Sequence, residues 1–587
     1  IGFRQISLIP GWIERFYVQP NPVVAERKYI QFNIDATLDA FDLANVEKVD
    51  YPVLSSLTRD VSTEIYEELD NIPIWEHGLL QNVYDQLQAI RPFFKFSPVA
   101  VDRYLLEGME HQVNIAAREL TLDKLPEEAR NWQNSHLTYT HGYGAVVTPA
   151  SQDGGRPMEW FLNELSLSTR HDQFKFKQPE IFYGMADYEY AIVPNTAPVS
   201  DDIEMNTDYQ GTGGLKMSSL LLKMILSAYM GDEKILFSTS INNQSKVLIL
   251  RNIKERVGTI APFLMQDSSP YPVIVDKKIF WIIDAYTTSD RYPVVQPVTS
   301  PFALHEEDEE TEKINYARNS VKIIVDAYNG TVDFYVVDPD DPVISAYRSA
   351  YPMLFKSMSQ MPKEFIRHLS YPQDLFTLQM QLYARFHQTD PDVFYQQSQA
   401  LQFATIEGEE MQPYYLTIDI LDKPGIEESE HEKFVLVNPF SPIGRENLNS
   451  IVLAGCLTVL NCNDEYVAEI FYYAFPENIQ VDGPEQVNAL IEQNPEISSQ
   501  FTLWDQRGSQ VIRGRMLIIP IEKSILYIQP IYLVSSATTG FPQLARIIVS
   551  MNQETAMGLS VESAYKILEQ KLSGVEQVED TISVSGG

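Results

Sequence analysis

VKIIVDAYNGTVDFYVVD, residues Val321–Asp338, carries the strongest hairpin signal in the chain. Apolar and polar residues alternate on both sides of Asn329-Gly330, a dipeptide that favours the tight turns joining antiparallel strands. A two-residue turn sets the register. Tyr328 faces Thr331, Ala327 faces Val332, Asp326 faces Asp333, Val325 faces Phe334, Ile324 faces Tyr335 and Ile323 faces Val336. One face is then wholly apolar (Ile323, Val325, Ala327, Val332, Phe334, Val336) and packs on a core. The other face puts the carboxylates of Asp326 and Asp333 opposite one another, a destabilising like-charge pair. A bound cation, a nearby arginine such as Arg318, or water would compensate. Asp338, Asp340 and Asp341 follow in DPDDP, and a hard cation such as calcium takes several oxygen ligands. These five aspartates are the candidate metal site. The plainer reading is a solvated pair followed by an acidic turn. The ligand spacing of an EF-hand is absent, and Pro339 and Pro342 make ordinary turn chemistry sufficient.

Similar strand-like runs lie at Lys234–Ser240, Val247–Arg251, Ile279–Ile283, Phe434–Asn438, Met516–Ile521 and Ile525–Val534. Pro520 and Pro530 suit edge positions or bulges. Residues 1–55 alternate apolar and polar residues between Pro10, Pro20, Pro22 and Pro52, which predicts strands and loops. Apolar stripes at helical spacing predict helices over Ile74–Ile90 and Asp374–His387. Further helices start at Pro126, after Gly483-Pro484, and at Ser560 as N-cap. SSLLLKMILSAYM, Ser218–Met230, is too short to span a bilayer and reads as a buried helix. Helices and strands are interspersed without βαβ alternation. The predicted fold class is therefore α+β, mixed and strand-rich with several amphipathic helices.

The 587 residues allow more than one domain. HEEDEETE, His305–Glu312, has no apolar residue and is taken as an acidic linker or loop between subdomains 1–304 and 313–573. Residues 574–587 form a polar, flexible tail. IIDAYTT (Ile282–Thr288) and IVDAYNG (Ile324–Gly330) resemble each other across the boundary, too short a likeness for a repeat fold. The formal net charge of −36 repels phosphate backbones, and no basic patch offsets it, so nucleic acid is not an expected partner. Cys456 and Cys462 lie about 20 Å apart if their run is extended, too far for a bridge, whereas a turn near Asn461 brings them together. The chain has no signal peptide and starts at Ile1, which is read as an excised segment of something longer.

Other chemistry-bearing motifs are sparse. EGMEHQVNIAAREL (Glu107–Leu120) and LPEEARNWQNSHLTYTHGYG (Leu125–Gly144) are too particular for generic core. His141 beside Gly142 and Gly144 is either a general base or a turn-holding residue, and lacks a partner acid or nucleophile at a diagnostic spacing. His136 is five residues away. Gly211–Gly214 ahead of the helix 215–230 resembles an anion-binding turn but lacks the P-loop lysine, so tight packing is the expected role. GxSxG, HExxH and paired CxxC motifs are missing.

Six ordered phrases resemble the uncharacterised protein family 0182, a group of bacterial integral membrane proteins. They are Arg118–Leu120, LTYTHGYG at Leu137–Gly144, APFLMQDSSPYPVI at Ala261–Ile274, WIIDAYTTSDRYP at Trp281–Pro293, NYARNSVKIIVDAYNG at Asn315–Gly330, and IRGRMLIIPIEKSILYIQPIYL at Ile512–Leu533. Ser268-Ser269-Pro270-Tyr271 departs from the commoner acidic DPYP. The resemblance implies an N-terminal bundle of about seven membrane helices in the native protein. This chain would then be the large extracytoplasmic domain that follows, at the cell membrane. It brings no catalytic residue with it. The expected function is an interaction or assembly module, with the membrane bundle, a second copy or an envelope protein as partner. The alternatives are an envelope enzyme acting on polysaccharide or lipid-linked substrates, and a calcium-binding domain.

Overall fold

The computed structural model describes residues 8–53, 69, 71–88, 91–163, 166–197, 208–302, 313–419, 432–458, 466–505, 508–521, 523–535 and 540–573. The acidic stretch 305–312, the tail 574–587 and Cys462 lie outside them. With 29% helix and 33% strand in several sheets, the fold is α+β.

Four larger sheets carry the structure. The one built on the opening hairpin runs Met265–Gln266, Lys278–Ser289, Tyr316–Asp326, Val332–Val336 and Phe355–Ser357, with Tyr271–Val275 also on Lys278–Ser289. Lys278–Ser289 pairs antiparallel with Tyr316–Asp326 along almost its whole length. The acidic stretch therefore lies, in sequence, between two strands that are neighbours in one sheet. IIDAYTT and IVDAYNG overlap on these two strands, with Ile282 opposite Ile324 and Asp284 opposite Lys322. The sheet of Glu432–Pro442, Ser450–Thr458 and Tyr466–Ala474 also crosses the proposed division. Its edge strand is Glu47–Asp50, parallel to Tyr466–Ala474.

The hairpin keeps its predicted faces but not its register. Val325 pairs with Val332 and Ile324 with Asp333, so the pairing is displaced by two residues. The turn holds four residues, Ala327–Gly330, because the Asp326 carboxylate accepts the N–H groups of Tyr328 and Asn329 at 2.8 Å each. A displacement by two preserves which side chains face the core, since side chains alternate with period two. Ile323, Val325, Ala327, Phe334 and Val336 are buried together as predicted. Gly330, at φ +68°, lies flat against the Tyr183 ring, where a Cβ would meet ring carbons at 2.5 Å.

Three other expectations fail. The described part of that N-terminal stretch, residues 8–53, is mainly helical: Leu8–Ile13, a π turn Glu14–Val18 and the helix Pro22–Ala40 precede the strand Glu47–Asp50. Pro22 opens that helix at a position where its missing N–H costs nothing. Lys234–Phe237 is a short helix rather than a strand, its first N–H held by Asp232 Oδ1 at 3.0 Å. Pro126 starts only a 3₁₀ turn, Glu127–Ala129. The remaining helices match closely: His77–Leu87, Gln373–Phe386, Pro484–Gln493, and Val561–Leu572 capped by Ser560. The prolines fit as well. Pro520 lies on a strand that, among the described residues, pairs with Ser524–Ser535 alone, an edge position. Pro530 faces the break at Gly514, whose N–H reaches the Pro530 carbonyl at 2.8 Å.

Candidate functional site

The five candidate aspartates do not converge. Asp326 is occupied by its own turn, with Asn329 Nδ2 on its second oxygen at 2.8 Å. Asp333 pairs with Lys356 at 2.7 Å. Asp338 accepts the N–H of the exposed Asp340 at 3.2 Å and lies 3.6 Å from Arg318. Burial, more than any neighbouring charge, raises the Asp338 pKa. Asp341 is fully buried as N-cap of the helix Pro342–Ala350. Its oxygens accept hydrogen bonds from the hydroxyls of Tyr316, Thr287 and Ser320 at 2.6 Å each, besides two backbone N–H groups. Among the described residues, no group of three or more His, Cys, Asp or Glu side chains is placed to hold a metal ion. Arg318 turns away from Asp326 and Asp333. It donates to the Asp39 carbonyl at 2.7 Å and to Asp42 at 3.2 Å, tying the helix Pro22–Ala40 to the sheet.

The two histidines separate. His141 is fully buried, its ring 4.9 Å from that of Phe182 and its Nδ1 3.0 Å from the Gly142 carbonyl oxygen, a turn-holding position. His136 stands at the wall of an open pocket of about 820 Å³. Its ring stacks on Tyr190 at 3.9 Å and its Nε2 lies 3.3 Å from Glu189. Tyr190 donates its hydroxyl proton to Asp232 at 2.7 Å and accepts from Trp132 Nε1 at 2.9 Å. Burial lowers the pKa of His136 against the opposing pull of Tyr190 O and Glu189. The pocket presents carboxylates beside an aromatic face, a combination suited to hydrogen-bond donors and cations. Its lining comes from His136, from positions 189–190 and from 227–234, which the sequence does not connect.

A buried polar chain was also missed. Lys322 Nζ is fully buried and donates to Asp284 and, at 2.8 Å, to the Ser370 carbonyl. Tyr286 donates to Asp267, which in turn accepts the Ser269 N–H at 2.9 Å. Burial pushes Asp284 up to about 6 even with Lys322 beside it. All but Ser370 sit in three of the six family-like phrases. The cross-strand pairing of Asp284 with Lys322 is the signal that links them, and it needs the register between IIDAYTT and IVDAYNG. Glu119 of the REL phrase is similarly enclosed. It accepts the Met185 N–H at 2.6 Å and the Tyr188 hydroxyl at 3.2 Å, and burial raises it to about 7.

Two apolar surfaces lie uncovered. The first is on the N-terminal helices. Only Ile34, Thr37 and Ala40 of Pro22–Ala40 are buried, while Tyr29 and Phe32 face outward. Ahead of it Trp12 is 66% exposed and Tyr17 72%, with Phe16 equally open. The second is the helix Leu220–Met230. Its predicted burial is not found: Leu226 and Ser227 alone are buried, since nothing else in the described chain packs over it. The glycine turn does not feed this helix either. Leu215–Lys216 forms a strand, Ser219 caps the helix, and the turn packs on the hairpin, with Thr212 N–H donating to Asn329 Oδ1 at 2.9 Å. Among the described residues no helix is long and apolar enough to cross a membrane.

No solved structure matches the chain. A UPF0182 protein of Methylococcus capsulatus is 44% identical over 100% of this chain and 66% of its own length. Those of Syntrophobacter fumaroxidans and Nitrosococcus oceani are 41% and 39% identical, over 97% of this chain and 64% and 65% of theirs. The chain thus spans just under two thirds of the length of these curated relatives. The model of the uncharacterised protein family (UPF0182) matches residues 3–504. With most of its length inside that match and relatives this similar, the chain belongs to the UPF0182 family.

Proposed function

We propose that this chain is the extracytoplasmic part of a multi-pass membrane protein and works as an interaction or assembly module. The observation that carries it is the row of uncovered aromatic side chains on the N-terminal helices, Trp12, Phe16, Tyr17, Tyr29 and Phe32. A concentration of exposed large apolar side chains of this kind marks contact sites, because leaving them in water forgoes the burial free energy of several large side chains. The C-terminal end of the longer helix is pinned to the body by Arg318 on Asp39 and Asp42, so the aromatic row is presented from a fixed base. The family resemblance supports a membrane bundle as the partner, and the relatives have a further third of their length in which to hold one.

The test is photo-crosslinking from a benzoyl-phenylalanine placed at Phe16, in cells making the full-length protein. The expected products join this face to the protein's own membrane helices or to a second envelope protein. A lone, uncrosslinked monomer in the native membrane would sink the proposal. The rival reading as an envelope enzyme draws on the Glu189–Tyr190–Asp232 pocket. It requires bound oligosaccharide or lipid-linked sugar to be cleaved, and loss of cleavage in Asp232→Asn.

A further inference from the structure

The helix Leu220–Met230 inverts the rule for surface helices. A surface helix turns its apolar stripe inward and its charges to water. At about 100° per residue, Leu220, Leu221, Leu222, Met224, Ile225 and Tyr229 spread over an outward arc of about 200°. All six are exposed, Ile225 at 54% and Tyr229 at 74%. The charged residue of the helix, Lys223, is on the opposite side, where its Nζ reaches the Ile241 carbonyl at 3.3 Å. Leu226 and Ser227 share that inner side. The outward arc is therefore wholly uncharged in a chain of net charge −36. Phe237, on the next short helix, is 78% exposed.

We propose that this helix is an interfacial anchor, lying in the plane of a lipid bilayer with its outward arc among the upper acyl chains. Three features favour lipid over a protein groove. The helix is a convex ridge, and an arc this wide is enclosed by a fluid solvent more completely than by a flat protein face. Its 11 residues make about 16 Å of helix, too short to cross about 30 Å of hydrocarbon but enough to lie along its surface. The flanks carry exposed Lys216 before it and exposed Lys234 after it, beside Asp232 and Glu233, and Tyr229, a side chain suited to a membrane boundary, lies in its last turn. The acidic chain as a whole gains little from anionic headgroups, so apolar burial drives the contact and zwitterionic lipid suffices. This surface is separate from the aromatic row of the N-terminal helices, so either proposal can fail alone.

The 587-residue chain is mixed with vesicles of phosphatidylcholine, alone or with phosphatidylglycerol, and floated on a density gradient. Ile225→Glu is expected to lower the bound fraction at least about tenfold on both lipids, with an unchanged melting temperature, because it removes a large apolar side chain from the lipid contact and inserts a charge there, at a position exposed in the protein itself. A Tyr229→Trp variant reports position: its emission should shift to the blue on vesicles and be quenched by bromine-labelled acyl chains. Three results would each overturn the proposal. They are no flotation on either lipid, flotation that Ile225→Glu leaves intact, and a lipid-free dimer that Ile225→Glu dissociates while vesicles stay unbound. The second would assign membrane contact to the N-terminal aromatics instead.

Discussion

The helices Gln373–Phe386 and Leu220–Met230 are a contrast in what surrounds an apolar sequence. The first is mixed in composition, with Gln373, Asp374, Thr377, Gln379, Gln381 and Arg385 among its 14 residues, yet it buries nine side chains. The second is the more apolar and buries two. Gln373–Phe386 packs against strands of the hairpin sheet and of the sheet around Glu432–Pro442, and even Gln379 is satisfied inside, donating to the Phe41 carbonyl at 2.9 Å and accepting from Tyr371 at 2.8 Å. Hydrophobicity states what a helix gains from leaving water. Whether the same chain provides the cover is a separate matter, decided by topology.

The contrast can be broken at either helix. Phe376→Ala, at a fully buried position, should cost about 3–5 kcal/mol in a denaturant titration, since the cavity cannot refill from neighbouring strands. A loss under about 1 kcal/mol there would mean that this helix is no better anchored than the exposed one. Asp374 sharpens the comparison through pH. Burial first, and then the nearby Asp267, raise its pKa from 3.8 to about 6. A carboxyl that holds its proton more tightly when folded adds stability below its unfolded value, and that stability is lost as pH rises from about 4 to about 6. Asp374→Asn should flatten this fall, by about 1 kcal/mol once its partial exposure is discounted. Unchanged pH dependence in the variant would place the titrating group elsewhere.

Smaller effects belong to the exposed helix. Ser219→Ala removes the side-chain acceptor of the Leu222 N–H, 3.3 Å away. About 1 kcal/mol should disappear from the local stability of that helix, read as faster hydrogen exchange in its first turn without a change in global unfolding. Ile225→Ala should stay within about 0.5 kcal/mol of the parent in lipid-free solution. A larger loss would show that the arc is covered in solution after all.

Legibility followed range along the chain. Period-two and period-3.6 patterns were read correctly where one face meets a core, as in Val321–Val336, Gln373–Phe386 and Val561–Leu572. Local chemistry that competes with the pattern was harder to see. Asp326 turned a two-residue loop into a four-residue one by capping it, and so took its carboxylate away from Asp333. The proline-punctuated alternation of residues 1–55 predicts strands and loops, yet Pro22 opens a helix. The polar groupings were the least visible, because Lys322 with Asp284, and His136 with Glu189, Tyr190 and Asp232, meet only after strands and loops distant in sequence come together.

From the residues alone came the α+β class, the core faces of the hairpin, the places of four helices, the acidic composition and the family likeness. These depend on side-chain periodicity, net charge and ordered phrases, which a linear chain carries in full. Register, the sharing of sheets across the acidic stretch, the pocket at His136 and the exposure of Leu220–Met230 were decided by tertiary structure. Each is set by which distant segment arrives as a neighbour, and a helix that attracts no neighbour has the same sequence pattern as one that does.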